Sequence, residues 1–191
     1  PPTPGLKEAG YLTNETVFTL TDLPRRVGVI GAGPIGCELA QAFARFGSQV
    51  YLVEAMHGIM PNEDRDAAEI VLTSMRRDSL TLLCCGKELK VSKTDGGKRM
   101  TVDSHGQHYD VTLDEILIGV GRTPNVEGLG LETVGVKYDK TGVKVNDRLQ
   151  TTNPCIFAAG DICSRYKFTH AADAMAQILI QNALFPHPFR L

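Results

Sequence analysis

The sequence has no apolar run approaching the roughly 18 residues that a bilayer-spanning helix needs. Its first residues, PPTPGLKEAG, lack the charged-then-apolar pattern of a secretory leader. Neither sign of charge dominates. Twenty Lys and Arg against 22 Asp and Glu leave a net charge of −2, which gives no electrostatic case for a nucleic-acid partner. There are five cysteines, an odd number, and none sits in a C-x-x-C pair. The histidines and cysteines also lack metal-ligand spacing, so no metal site is expected. Cys37, Cys155 and Cys163 each lie beside an expected strand or helix start and read as packing residues. The adjacent Cys84 and Cys85 read as two buried thiols rather than a strained vicinal disulfide. Together these features point to a reducing, cytoplasmic setting, in which the sequon Asn14-Glu15-Thr16 is a chance match.

What is present is ordinary for a soluble globular chain: 191 residues, 42% hydrophobic and 22% charged. Residues 1–22, rich in Pro, Thr and Gly, read as a linker or loop. Arg26 to Ile30 is a short apolar strand. From Pro34 to Phe46, the residues Ile35, Leu39, Ala42, Phe43 and Phe46 share one helical face, and Gly47 ends the helix. Gln49 to Val53 completes a βαβ unit. A second helix is expected over Arg65 to Asp78, followed by a strand at Leu80 to Leu83. Glu88 to Ser92, Arg99 to Asp103 and Tyr109 to Leu113, separated by Gly-rich turns, read as an antiparallel meander. Glu115 to Val120 reads as a buried strand returning to the main sheet. Beyond Pro124 the pattern predicts a hairpin over Val134 to Val145, a strand over Ile156 to Ala159, and a helix over Phe168 to Leu184 stopped by Phe185-Pro186-His187-Pro188. The fold class is therefore α/β, a Rossmann-like parallel sheet carrying a three-stranded antiparallel meander.

Chemistry concentrates first in VGVIGAGPIGCE, residues 27–38. Gly31-x-Gly33-x-x-Gly36 follows a strand and opens a helix, the context that makes this spacing informative. Gly31 allows a tight turn, Gly33 lets a pyrophosphate approach the main chain, and Gly36 lets helix and strand pack closely. The free N–H groups and dipole of the helix start favour phosphate there, whereas a bare structural turn is the bland alternative. Glu54 ends the second strand, 18 residues beyond Gly36. It suits hydrogen bonds from both ribose hydroxyls, with an exposed surface acid as the alternative. No Arg lies within residues 53–59 to hold a 2′-phosphate, which favours NAD(H) over NADP(H). Glycines in the stretch Gly119-Val-Gly121-Arg122-Thr-Pro124-Asn125 would let a ligand lie against the backbone at a strand's C-terminal end. Asp161, ending Phe157-Ala-Ala-Gly160-Asp161, is either a polyol acceptor or the cap of a following turn.

The ordered set G-x-G-x-x-G-x-E, an acid ending the second strand, G-x-G-R-x-P-N, A-x-G-D and T-H-A-A resembles the FAD-dependent pyridine nucleotide–disulfide oxidoreductases, of the lipoamide dehydrogenase and mercuric reductase type. The likeness covers nearly the whole chain. It implies a remnant of a first FAD segment and linker at 1–22, an NAD(H)-binding domain at 23–136 and a second FAD-domain segment at 137–191. In such enzymes the redox cysteine pair precedes these residues and a dimerisation domain follows. The resemblance therefore implies a fragment, inactive by itself, of an enzyme that works as a homodimer. Carried over residue by residue, it assigns Gly31, Gly33, Pro34, Ile35, Gly36, Glu54, Leu89 and Gly121 to NAD. It assigns Asp161, Lys167, Phe168, Thr169 and His170 to FAD, and Glu38 to a supporting place near the flavin ring. His170 has an alternative as a helix-start residue making a local hydrogen bond. The implied activity is hydride transfer from NAD(P)H to FAD and onward to a disulfide or related small-molecule or protein acceptor. A non-catalytic redox-sensing nucleotide module, and an NADH oxidase- or ferredoxin reductase-like flavoprotein, are the alternatives.

Overall fold

The computed structural model describes residues 3–185, and these divide into two compact units, one ending at Gly121 and the other beginning at Arg122. The expected domain boundary at 136/137 thus falls inside the second unit.

The first unit is built on a four-stranded parallel sheet. Strand β1 (Arg26–Ile30) lies between β2 (Gln49–Val53) and β7 (Glu115–Ile118), and β3 (Thr81–Leu83) adds outside β2. Successive side chains of a strand point to opposite faces, so burial on both faces demands an almost continuous apolar run. Both faces are covered here. Val27, Val29, Val50, Leu52 and Leu117 pack with residues of helices α2 (Pro34–Phe46) and α3 (Arg65–Arg77). Ile30, Val53, Leu83 and Ile116 pack instead against Met100, Val102 and Leu113 of the antiparallel sheet β4 (Lys87–Thr94), β5 (Gly97–Ser104) and β6 (Gln107–Leu113). A register shift between Lys87 and Lys90 interrupts the β4–β5 ladder.

Local chemistry sets the element ends. Gly47 takes φ 105° and donates its N–H to the carbonyls of Phe43 and Ala44, closing α2. The Asp64 carboxylate accepts from the Asp66 N–H and starts α3, one residue shorter at its end than the spacing predicts. At the opposite edge of β1, the Asp114 carboxylate accepts from both the backbone N–H and the guanidinium of Arg26. That pair holds the Asp114 carboxyl below the usual carboxylate range.

Residues 3–22 do not behave as a linker. A short helix α1 (Leu6–Ala9) and a 3-10 turn (Val17–Thr19) bury Leu6, Ala9 and Val17. Leu12 bridges Leu117 in parallel, donating to the Ile116 carbonyl and accepting from Ile118, so it shields the open edge of β7. Those scattered apolar residues were masked by the surrounding Pro, Thr and Gly.

The second unit contains a minimal hairpin, β8 (Tyr138–Asp139) with β9 (Gly142–Val143), a 3-10 turn (Gly160–Ile162) and helix α4 (Thr169–Leu184). The strand expected over 156–159 is reduced to one bridge between Gln150 and Phe157. The backbone bonds from Thr151 to Ile156 and from Ala158 to Leu149 make that single antiparallel bridge, and the ladder goes no further. The expected helix stop at Pro186-His187-Pro188 lies outside the described residues. Among those described, no helix is long and apolar enough to cross a membrane.

Candidate functional site

The C-terminal ends of β1, β2 and β7 converge on the glycine-rich turn. Gly31 donates to the Val53 carbonyl, and Gly119 donates to that of Ile30. Gly31 has φ 102°, where an L side chain is strained, and a Cβ there would lie 2.6 Å from the Gly119 carbonyl oxygen. A Cβ on Gly36 would sit 1.9 Å from the Gly31 carbonyl oxygen, so this glycine lets the helix seat on the turn. A Cβ on Gly119 would come within 3.2 Å of the Gly36 Cα. Gly119 therefore takes part in this backbone packing. Gly33 differs from all three: its φ is −71° and a Cβ on it would meet nothing within 4 Å. It is the one fingerprint glycine whose missing side chain leaves open space.

Pro34 occupies the first helical position of α2 and has no N–H to lose. Cys37 donates to the Gly33 carbonyl, but among the described residues the N–H groups of Ile35 and Gly36 find no backbone acceptor. The helix mouth thus offers two unpaired donors and the positive end of its dipole beside the open face of Gly33. Glu54 is half-buried next to it. One carboxylate oxygen accepts from the Ala32 N–H at 2.8 Å and the other from the Met56 N–H at 3.0 Å. These bonds tie the glycine turn to the end of β2, a positioning contact that spacing did not reveal. Each oxygen keeps capacity for a further donor. Arg65, outside the 53–59 window, reaches back toward Gly58, but its guanidinium donates to the carbonyls of Met60 and Glu63.

The remaining expected nucleotide residues are more scattered. Leu89 is half-buried against the core beneath the meander, Gly121 is exposed with φ 110° and open space around it, and Glu38 is exposed on α2. Cys37 is buried, its thiol bonded to the Ala32 carbonyl. Burial, with the charges of Glu54 and Glu38, pushes that thiol up to about 11, so it is a packing residue and not a nucleophile.

In the second unit, Arg122 draws the flavin-side candidates together. Its guanidinium donates to the Asp161 carboxylate at 3.3 Å and to the Lys167 carbonyl, while the Lys167 ammonium donates to the Arg122 carbonyl at 3.1 Å. Asp161 is therefore engaged by Arg122, a residue the sequence reading gave no such role. The turn at Gly160 is closed by backbone bonds from Cys163 and Ser164 without an Asp161 cap. His170 stacks on Phe168, with ring centroids 5.4 Å apart and planes 8° off parallel, and Thr169 begins α4. A pocket of about 350 Å³ is lined by Arg122, Lys140, Arg165 and Lys167 together with Cys163. Burial raises the Cys163 thiol to about 11. Cys155, expected to pack, is exposed.

The structure also assembles what linear spacing hid. His57, Cys84, Cys85 and His105 come from the loop after β2, the end of β3 and the β5–β6 turn, and their ligand atoms lie within 4.8 Å of one another. No metal spacing was visible because the three segments are joined only by the fold.

A parallel sheet whose first β–α turn is a glycine-lined helix mouth, flanked by an acid at the end of the neighbouring strand, is the arrangement of the dinucleotide-binding class of α/β folds. Residues 1–176 match the family described as pyridine nucleotide-disulphide oxidoreductase, and the chain belongs to that family. It is 34% identical over 185 residues to a mercuric reductase of Staphylococcus aureus, across 96% of this chain and 34% of that protein. It is 35% identical over 164 residues to a dihydrolipoyl dehydrogenase of Thermus scotoductus, across 84% of this chain and 36% of that one. The HOCl-induced flavoprotein disulfide reductase RclA of Escherichia coli superposes on 100% of this chain with TM-score 0.86 and 29% identity, over 43% of its own length. The chain spans about a third of the length of the two curated relatives.

Proposed function

We propose that this chain supplies the NAD(H)-binding portion and the second flavin-binding segment of an FAD-dependent oxidoreductase that passes electrons to a disulfide or related acceptor. The observation that carries the reading is the helix mouth of α2. The N–H groups of Ile35 and Gly36 have no backbone acceptor, a side chain on Gly33 would meet nothing within 4 Å, and Glu54 bonds to Ala32 of the same turn. A diphosphate fits the donors and the dipole there, and the ribose of its adenosine half fits Glu54. A 2′-phosphate would meet that carboxylate with like charge, and the guanidinium of Arg65, which reaches toward Gly58, is already bonded to carbonyls. NAD(H) is accordingly the preferred coenzyme.

FAD, when bound, supplies the hydride-accepting chemistry. The residues of this chain position and exclude. Gly31, Gly36 and Gly119 keep the helix mouth close to the strand ends, and Glu54 fixes the turn through Ala32. Asp161, held by Arg122, keeps an oxygen for a ribityl hydroxyl, and Lys167, Phe168, Thr169 and His170 present a mixed cationic and aromatic start to α4. Helix α4 buries only Met175 fully and leaves Ile180 and Leu184 exposed. That uncovered apolar surface suits packing against the rest of a flavin domain.

Calorimetry on the 191-residue chain tests both halves. NADH binds measurably, and Glu54→Ala weakens NADH more than NADPH, because each lost bond between a ribose hydroxyl and the carboxylate is worth roughly 1.5–3 kcal/mol. Equal losses for the two nucleotides refute the role of Glu54. FAD binds weakly to this chain alone; tight one-to-one FAD binding refutes its assignment as only part of a flavin site.

A further inference from the structure

We propose that His57, Cys84, Cys85 and His105 form a binding site for a four-coordinate thiophilic divalent cation, with Zn(II) as the representative ion. The donor set is two thiols and two imidazoles, the mixture that tetrahedral Zn(II) sites use. All four ligand atoms already lie within 4.8 Å of one another. The Cys84 sulfur stands 3.1 Å from His105 Nε2, and the Cys85 sulfur 3.7 Å from His57 Nδ1. A tetrahedral ion with Zn–S near 2.3 Å and Zn–N near 2.0–2.1 Å requires about 3.6 Å between sulfur and nitrogen and about 3.8 Å between sulfurs. The two sulfur–nitrogen separations bracket the first value and every other pair lies within 4.8 Å, so coordination needs side-chain adjustments of about 1 Å.

Local bonds hold the backbone that carries the ligands. Cys85 and His105 adopt φ 55° and 51°, a left-handed conformation that non-glycine residues enter only when their surroundings impose it. The Cys85 N–H donates to the Met56 carbonyl at 2.9 Å, which joins the segments bearing Cys85 and His57. The Ser104 hydroxyl, buried beside His105, donates to the Cys84 carbonyl at 2.7 Å. The two histidine rings lie edge to face, with centroids 6.2 Å apart. Adjacent cysteines on an ordinary strand would point to opposite faces; the left-handed turn at Cys85 is what brings both sulfurs to the same side. On binding, two S–H bonds give way to two Zn–S bonds, two protons leave to solvent, and the imidazoles donate neutral lone pairs. No electron is transferred.

This site adjoins the end of β2 that carries Glu54, through Met56, but its donor set does not rest on the nucleotide reading. The test uses the 191-residue chain, stripped of metal and kept reduced so that Cys84 and Cys85 remain thiols, and titrated first with Co(II) and then with Zn(II). The expected result is one Co(II) per chain, with the intense visible and thiolate charge-transfer absorption of a tetrahedral site, bleached by one equivalent of Zn(II). His57→Ala and Cys85→Ser alter the exposed and half-buried ligands and spare the buried Cys84, and circular dichroism is expected to show both folded. Each weakens Zn(II) binding by roughly a hundredfold or more, at least what loss of a supporting outer group costs a metal site. Absence of a tetrahedral cobalt spectrum, or an affinity unchanged in both folded variants, overturns the proposal.

Discussion

Two alanine substitutions three residues apart in the same fingerprint, at Gly33 and Gly36, separate its structural glycine from the one proposed to face the coenzyme. In Gly36→Ala the new Cβ would lie 1.9 Å from the Gly31 carbonyl oxygen, a main-chain atom that cannot swing aside. Helix α2 or the turn must retreat by about 1 Å, through a region where Gly119 also leaves no slack. Overpacking of this kind costs about 1–3 kcal/mol, and a backbone obstacle places it at the upper end. For a chain of this size about 3 kcal/mol lowers the thermal midpoint by roughly 6–12 °C. In Gly33→Ala the new methyl meets nothing within 4 Å, and φ of −71° suits any residue. The loss of glycine at the cap position is offset by a less flexible unfolded chain, so stability changes by less than about 1 kcal/mol. On the proposed coenzyme site, however, the same methyl fills the open space beside the helix mouth that a diphosphate would occupy. Thermal unfolding followed by circular dichroism, paired with NADH calorimetry on each variant, reads both effects. A Gly33→Ala protein that is as destabilised as Gly36→Ala, or one that binds NADH like the parent, would falsify this division of labour.

Three further outcomes follow from the same geometry. Because the Arg26 partner depresses Asp114, its stabilising contribution is complete above the ordinary carboxylate range near pH 4 and is lost as pH falls through the lower folded value. Asp114→Asn should therefore flatten acid unfolding below about pH 4, and an unchanged acid limb contradicts the pairing. The effect is small, since both side chains are about one-third exposed. Cysteine alkylation at pH 7.5, mapped by mass spectrometry, should label exposed Cys155 readily and leave buried Cys37 unmodified in the native chain, because its thiol is pushed up to about 11. Comparable labelling of the two would mean the helix does not pack as described. Arg122→Ala frees Asp161 and the Lys167 carbonyl, and it should cost no more than about 1 kcal/mol, because the pair is solvent-exposed. A much larger loss in urea unfolding would show that Arg122 bears on the core of its unit.

Periodicity and turn chemistry made most of the first unit legible. The βαβ unit, its helix cap at Gly47, the returning strand β7 and the three-stranded meander all depend on patterns within about a dozen residues, and each appears where those patterns put it. The second unit was less readable. The strand expected at 156–159 finds only a one-residue antiparallel partner at Gln150, and the hairpin shrinks to two residues a side. The expected linker at 1–22 illustrates the converse: Leu6, Leu12 and Val17 look unremarkable in a Pro- and Gly-rich stretch until a sheet edge and a meander exist for them to cover.

The order of residues by itself determined which backbone stretches became strands or helices, and that a glycine-lined turn would meet a helix start. Those outcomes rest on local sterics and on hydrophobic spacing, which act along the chain. Tertiary structure alone decided which glycines pack and which faces open space, that Glu54 bonds to Ala32, that Arg122 engages Asp161, and that His57 and His105 flank Cys84 and Cys85. Each of these joins atoms that the chain keeps apart: in the first unit the parallel register, the meander over it and the turns between them bring them together, and in the second the turns around Gly160 and the start of α4 do so.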